Sequence, residues 1–192
     1  GWLSLGDHGY LDELGHLHIL DRQEDVITNI NGEIIYPRLV ENELKSSPYI
    51  QEAVCFGKEK PYMTAILNID MNSVGRWADK NRILYTEYSD LSRNPKVVEL
   101  IEQQVEQLMS KLPPQNRVKK FSILHKQFTA DQGELTRTLK IRRNFVEQKY
   151  KALIDGMYSD TQEVSLTSSQ TEFIEEEVSL RVIQLKIEQG VA

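Results

Sequence analysis

Cysteine is nearly missing from this sequence, and several other class-defining features are missing with it. One cysteine in 192 residues rules out a disulfide framework and any cysteine-based metal site. Cys55 stands inside the apolar run Ala53-Val54-Cys55-Phe56, the setting of a buried core thiol. No apolar stretch approaches the roughly 20 residues that span a bilayer, and no signal peptide is legible. Gly1 in place of an initiating Met fits a piece of a longer protein, and a cytoplasmic setting is the default expectation. Positive charge is not in excess either. A net charge of -6 disfavours a general nucleic-acid-binding role. A glycine- and hydroxyl-rich loop that would cradle nucleotide phosphates is lacking. His8, His16, His18 and His125 fall at no metal-ligand spacing with Cys or Asp and read as surface residues.

What is present is an ordinary globular composition, 40% apolar and 27% charged. Residues 1–21 read as a turn and two strands about Asp12-Glu13-Leu14-Gly15. Val26-Ile27-Thr28-Asn29 and Ile34-Ile35-Tyr36 are short strands about Asn31-Gly32, the favoured two-residue hairpin loop. Pro37 opens a helix whose Leu39, Val40 and Leu44 share a face, and Ser46-Ser47-Pro48 ends it. Strands follow at 50–56 and 64–69, then a short helix around Val74, Trp77 and Ala78. Val97, Val98, Ile101, Val105, Leu108, Met109 and Leu112 recur at three and four, a helix opened by Pro95 and stopped by Pro113-Pro114. A strand at 118–124, a polar loop at 126–138 and a closing helix over 141–150 come next. Beyond Tyr158 the chain turns polar, and then 177–187 alternates with one slip at Ile183. With Val164 and Leu166 this makes a two-stranded appendage, which must pack on something to be stable. Trp2, Trp77 and the tyrosines read as core and rim. The expected fold class is α+β: a small mixed sheet with packed helices and a hairpin-like appendage at the C-terminus.

Four places carry residues suited to chemistry. The strand-like alternation from His16 to Leu20 stops at Asp21-Arg22. That pair offers a carboxylate acceptor and a fixed fork of donors, suited to a ribose diol, to a phosphate or to each other. Asp7, between Gly6 and Gly9, is either a turn former or an acceptor for vicinal hydroxyls. Gly32 either turns a hairpin or lets backbone approach a ligand closely. Lys140, after Thr138 and before Arg142-Arg143, is either a solvated basic helix start or an ammonium placed to meet charge developing on phosphorus.

In their order and spacing, Gly6-Asp7-His8-Gly9-Tyr10-Leu11, the segment around Asp21-Arg22 and Gly32-Glu33-Ile34-Ile35-Tyr36-Pro37 resemble the adenylate-forming enzymes. Far downstream, Gly133-Glu134-Leu135-Thr136-Arg137-Thr138-Leu139-Lys140-Ile141-Arg142-Arg143 resembles the lysine loop of the long-chain fatty acyl-CoA synthetases, down to Leu139 where glycine is commoner. The resemblance implies three parts: 1–21, the last strands of a large N-terminal domain and a hinge; 22–158, a mobile catalytic lid; 159–192, a strand-rich tail. It implies Lys140 as the adenylation group, Asp7 and Arg22 as nucleotide contacts, Asp21 as the hinge at a solvent-exposed junction, and Gly32 beside the pantetheine of CoA. Thr28 stands where many relatives have lysine. The doublets Lys119-Lys120 and Arg142-Arg143 are suited to steering the 3′-phosphate of CoA, with a solvated face the better reading for Lys119-Lys120. ATP with Mg2+, CoA, a fatty acid and the large domain of the same protein are the implied partners. The parent would be a cytoplasmic long-chain fatty acid–CoA ligase, with peripheral membrane contact left open, and this piece would be inactive alone. Two other classes stay open: a non-catalytic regulatory module, and an adenylation enzyme for another carboxylic acid.

Overall fold

The computed structural model describes residues 6–186 except Glu24, Glu172 and Phe173. Trp2 and the end of the alternating run at Ile187 lie outside the described residues. The chain opens with an antiparallel hairpin of β1 (Asp7–Leu11) and β2 (Leu17–Arg22). Its turn is shaped by Asp12, whose carboxylate accepts from the backbone N–H groups of Leu14 and His16 and also meets the rings of His16 and His18.

β3 (Ile27–Thr28) and β4 (Ile34–Ile35) form a second hairpin. Its loop differs from the two-residue loop expected of Asn-Gly. Asn29 N–H donates to the Glu33 carbonyl and Gly32 N–H to the Asn29 carbonyl. Only Gly32 of the loop has positive φ, at 78°. This is a three-residue loop with glycine in the left-handed position. The buried Asn29 dictates it by accepting from the N–H groups of Asn31 and Glu33.

Helix α1 (Pro37–Leu44) follows directly, with proline at its start. Strands β5 (Ile50–Phe56) and β6 (Met63–Ile69) pair antiparallel. Next come α2 (Met71–Lys80), capped by the Asp70 carboxylate, α3 (Tyr88–Arg93) and α4 (Pro95–Ser110), capped by Asn94. The helix α3 was not expected; a reciprocal capping box of Glu87 and Asp90 starts it. Strand β7 (Val118–Ile123) then lies parallel to β6. The closing helix expected over 141–150 instead starts at Arg143 and breaks at Tyr150, giving α5 (Arg143–Lys149) and α6 (Lys151–Met157). Strands β8 (Glu163–Thr171) and β9 (Ile174–Arg181) form the tail hairpin. The slip in the alternation marks where the chain leaves that hairpin: β10 (Ile183–Gln184) joins the main sheet, in the order β10-β7-β6-β5.

Both faces of this sheet are covered, as its central strands require. Ala53 and Cys55 face one core, with Val40, Leu44, Val74, Ala78, Ile101 and Val105 from α1, α2 and α4. Val54 and Phe56 face the other, with Val146, Leu153 and Met157 from α5 and α6 and Val178 and Leu180 from β9. The α+β class holds, and the tail hairpin closes the second core. Within α6, Gly156 lies so close to β8 that a Cβ there would stand 2.4 Å from Val164 Cγ2. Among the described residues no helix is long and apolar enough to cross a membrane.

Candidate functional site

Asp21, the last residue but one of β2, has no solvent exposure, so the solvent-exposed junction expected of it is not what the structure holds. One carboxylate oxygen accepts from Arg22 N–H at 2.8 Å and the other from Arg38 N–H at 2.8 Å. Arg38 is the second residue of α1, whose own N-cap, Tyr36, offers no side-chain bond. Asp21 therefore caps a helix from across the fold, satisfying an orphan N–H of its first turn. Burial holds its carboxyl above the usual range, with the nearby Asp25 adding to the effect, against the lowering by its two backbone donors.

Asp25 lies 3.6 Å from Arg38 Nη2 and 3.7 Å from Arg143 Nε. Arg143 is the centre of a tighter cluster. Its fork meets both oxygens of Glu41 at 2.7 and 2.9 Å, and Nη1 also donates to the Cys55 carbonyl at 2.9 Å. Glu41 in turn accepts from Cys55 N–H at 2.7 Å. A bidentate pair of this geometry fixes orientation as well as charge. It binds the start of α5 to α1 and β5, and it removes Arg143 from the cations expected to steer CoA. Arg142 reaches the Gly133 carbonyl and stacks over Phe145. Lys120 donates to the Ser159 carbonyl, in keeping with a surface role for that doublet.

Between these anchors the lysine loop is a small hairpin. Leu135 and Ile141 form an isolated antiparallel bridge. Thr136 N–H donates to the Lys140 carbonyl at 2.8 Å, Leu139 N–H to the Thr136 carbonyl at 2.9 Å, and Lys140 N–H to Thr136 Oγ1 at 3.1 Å. Leu139 takes φ of 58°, the conformation glycine favours, which explains why glycine is common at that place in the motif. Lys140 is exposed beside it and lines an open groove of about 870 Å³ shared with Arg22, Arg38, Lys45 and Arg142. Asp25, Glu41 and Glu52 line the same groove.

The structure thus brings Lys140 and Arg22 to one cleft. Asp7 is exposed at the start of β1 and faces Arg22 as its cross-strand partner, so the two expected nucleotide contacts share a strand face. Gly32 lies on the β3–β4 loop and does not line the groove; a Cβ there would meet nothing within 4 Å. His125 departs from the surface position expected of it. It is half-buried, and burial, then Lys126 and Arg93, lower its pKa to about 4. Among the described residues no group of three or more His, Cys, Asp or Glu side chains could hold a metal ion.

Two carboxylates were missed from sequence. Glu41 sits on the buried face of α1 between Val40 and Leu44, and a glutamate on an apolar stripe is a readable sign of a buried partner. Glu134 has no exposure and pairs with Lys149 at 2.7 Å; no periodicity in its polar loop marks it.

Gly32, Glu41, Glu134, Lys140 and Arg143 fall within residues 24–162, and that span matches the AMP-binding enzyme C-terminal domain. The chain belongs to that family. As an AMP-binding C-terminal domain it is 32% identical over 160 residues to long-chain-fatty-acid–CoA ligase FadD15 of Mycobacterium tuberculosis, covering 83% of this chain and 27% of the ligase. It is 31% identical over 176 residues to long-chain-fatty-acid–CoA ligase ACSBG2 of Homo sapiens, covering 82% and 26%. The chain spans about a quarter of the length of these curated relatives. Among solved structures, the adenylation domain of a carboxylate reductase from Mycobacterium chelonae matches with a TM-score of 0.63 over 81% of this chain and 23% of that one, at 21% identity. That likeness is one of fold.

Proposed function

We propose that this chain is the mobile C-terminal lid of an adenylate-forming long-chain fatty acid–CoA ligase. The observation that carries the reading is Lys140, exposed on a tight hairpin and opening into a cationic groove beside Arg22. In the first half-reaction a fatty carboxylate attacks the α-phosphorus of ATP and pyrophosphate leaves. The Lys140 ammonium meets the charge that grows on the phosphoryl oxygens, an electrostatic term that strengthens in the transition state. Asp7 takes the ribose hydroxyls and Arg22 is the second nucleotide contact. In the second half-reaction the CoA thiol attacks the acyl carbon and AMP leaves, with the Gly32 loop beside pantetheine. The lid turns between the two steps.

Asp21 is the proposed hinge, with the boundaries of large-domain strands at 1–21, lid at 22–158 and tail at 159–192. Its side chain stays with α1, so the rotation is taken up by backbone torsions at and before it. The β1–β2 hairpin supports a missing large partner. Leu11, Leu17 and Ile19 share one of its faces and are 68%, 65% and 58% exposed, and a bare two-stranded hairpin is marginal in water.

Lys140→Ala in the full-length ligase tests the reading. Fatty acid-dependent pyrophosphate exchange should fall about a hundred-fold or more, while thioester formation from supplied acyl-adenylate stays near the wild-type rate. Equal loss of both, or of neither, overturns it.

A further inference from the structure

Glu134 stands directly before the Leu135–Ile141 bridge, at the base of the hairpin that presents Lys140. Its side chain is fully buried and fully occupied. Oε1 accepts from Lys149 Nζ at 2.7 Å and from the Tyr150 hydroxyl at 3.0 Å; Oε2 accepts from Thr129 N–H at 3.1 Å. Its main-chain carbonyl accepts from Arg142 N–H at 2.9 Å. One residue therefore holds the segment entering the hairpin, the strand leaving it, the end of α5 and the break before α6. Burial alone would raise this carboxyl, but the Lys149 bond, Thr129 N–H and the Tyr150 hydroxyl outweigh it, and the net displacement is downward. A buried carboxylate is tolerated only when paired and hydrogen-bonded in this way.

The carboxylate cannot touch a ligand. Lys140, Ile141 and Arg142 line the groove, while Glu134 lies behind them and does not. Its side-chain hydrogen bonds run to Thr129, Lys149 and Tyr150, and of these Tyr150 belongs to the second sheet core, so melting temperature is read beside rate. A neighbouring anchor fixes the other end: Arg143 is forked on Glu41. With both ends held, the direction of the Lys140 side chain follows from the base of its hairpin. Gly133 adds a steric limit, since a Cβ there would come 2.9 Å from the Phe145 ring.

We propose that Glu134 is a positioning residue for Lys140: through its bonds to Thr129, Lys149 and Tyr150 it sets where the ammonium is delivered during adenylation. The proposal rests on the reading of Lys140 given above. A displacement of about 1 Å at a reacting centre costs on the order of a hundred-fold in rate, so losing this anchor is expressed as rate and not as substrate affinity.

The test is a double-mutant cycle in the full-length ligase, reading pyrophosphate exchange, thioester formation from supplied acyl-adenylate, and melting temperature. Glu134→Leu keeps the volume and removes every acceptor. It should slow adenylation roughly ten- to a hundred-fold, leave the KM for ATP within about two-fold and leave thioester formation unchanged. On a Lys140→Ala background it should cost nothing further, because a group acting through Lys140 has nothing left to position. Glu134→Gln keeps one acceptor oxygen and should lose less than Glu134→Leu. The same factor lost on both backgrounds, or parallel loss of both half-reactions with a falling melting temperature, overturns the proposal while leaving Lys140 in place. A Lys140→Ala enzyme with wild-type adenylation overturns the functional reading itself and the role of Glu134 with it. If Glu134→Leu does not fold, Glu134→Gln carries the same cycle against the same outcomes.

Discussion

Leu139 shows how a single residue can oppose its own backbone. A leucine in the left-handed region costs about 1–2 kcal/mol, and its side chain is 70% exposed, so little burial offsets the strain. The hairpin keeps the conformation because bonds on both sides of Leu139 need it: Thr136 to Lys140 and Leu139 to Thr136. Leu139→Gly should therefore stabilise the fold, by less than the full strain because glycine loses more chain entropy on folding. A rise of about 1–3 °C in melting temperature is expected for a chain of this size. Leu139→Val, with a branched Cβ in the same torsion, should lower it. A glycine variant that melts lower would show that contacts of the Leu139 side chain outweigh its backbone strain.

At the scale of the element, α1 depends on a residue that is not in it. Asp21→Ala removes its side-chain cap and leaves Arg38 N–H without that acceptor, a loss of about 1 kcal/mol or more. The melting temperature should fall by about 2–4 °C. Asp21→Asn keeps an acceptor and removes the titration. Because the folded carboxyl is held above its unfolded value, the folded state keeps a proton that the unfolded chain releases. Wild type should accordingly gain on Asp21→Asn as pH falls through that raised value toward the ordinary aspartate range near 4, and the difference should level off below it. Melting curves of both proteins across that interval check the sign.

The same element shows what could be read beforehand. The spacing of Val40 and Leu44 after Pro37 gives α1, and the three-and-four recurrence from Val97 to Met109 gives α4, because each helix writes its buried face into one periodic stripe. Motif order singles out Lys140, Arg22 and Asp7, and the fold brings Lys140 and Arg22 to one groove. Glu41, Glu134 and the capping role of Asp21 were not. A charged residue reads as solvated unless its partner is known, and these partners, Arg143, Lys149 and Arg38, are brought close only by the fold. The break at Tyr150 is equally silent, since α5 and α6 together carry one acceptable helical pattern.

For the molecule as a whole the tail is the deciding piece. Val164 and Leu166 of β8 and Val178 and Leu180 of β9 lie on the second core, and β8 can approach only because α6 has no Cβ at residue 156. Gly156→Ala sets two effects against each other. Helix propensity gains about 1 kcal/mol, whereas overpacking against a stiff Val164 costs about 1–3 kcal/mol. The clash should win. The expected readout is a lower melting temperature with faster amide exchange at 163–166. A higher melting temperature would mean that β8 and α6 are not in such contact.

This arrangement also gives the protein a timetable. Residues up to 123 contain most of the first core, but the cover of the second includes Val178 and Leu180. A ribosome adding roughly 5–20 residues per second leaves Val54, Phe56, Ile66 and Leu124 waiting for some seconds after their own strands can pair. During that interval the nascent chain is a sheet with one finished side and one greasy side. The seconds in which residues 125–180 are added are when this protein most needs a chaperone, or the rest of its own chain, close by.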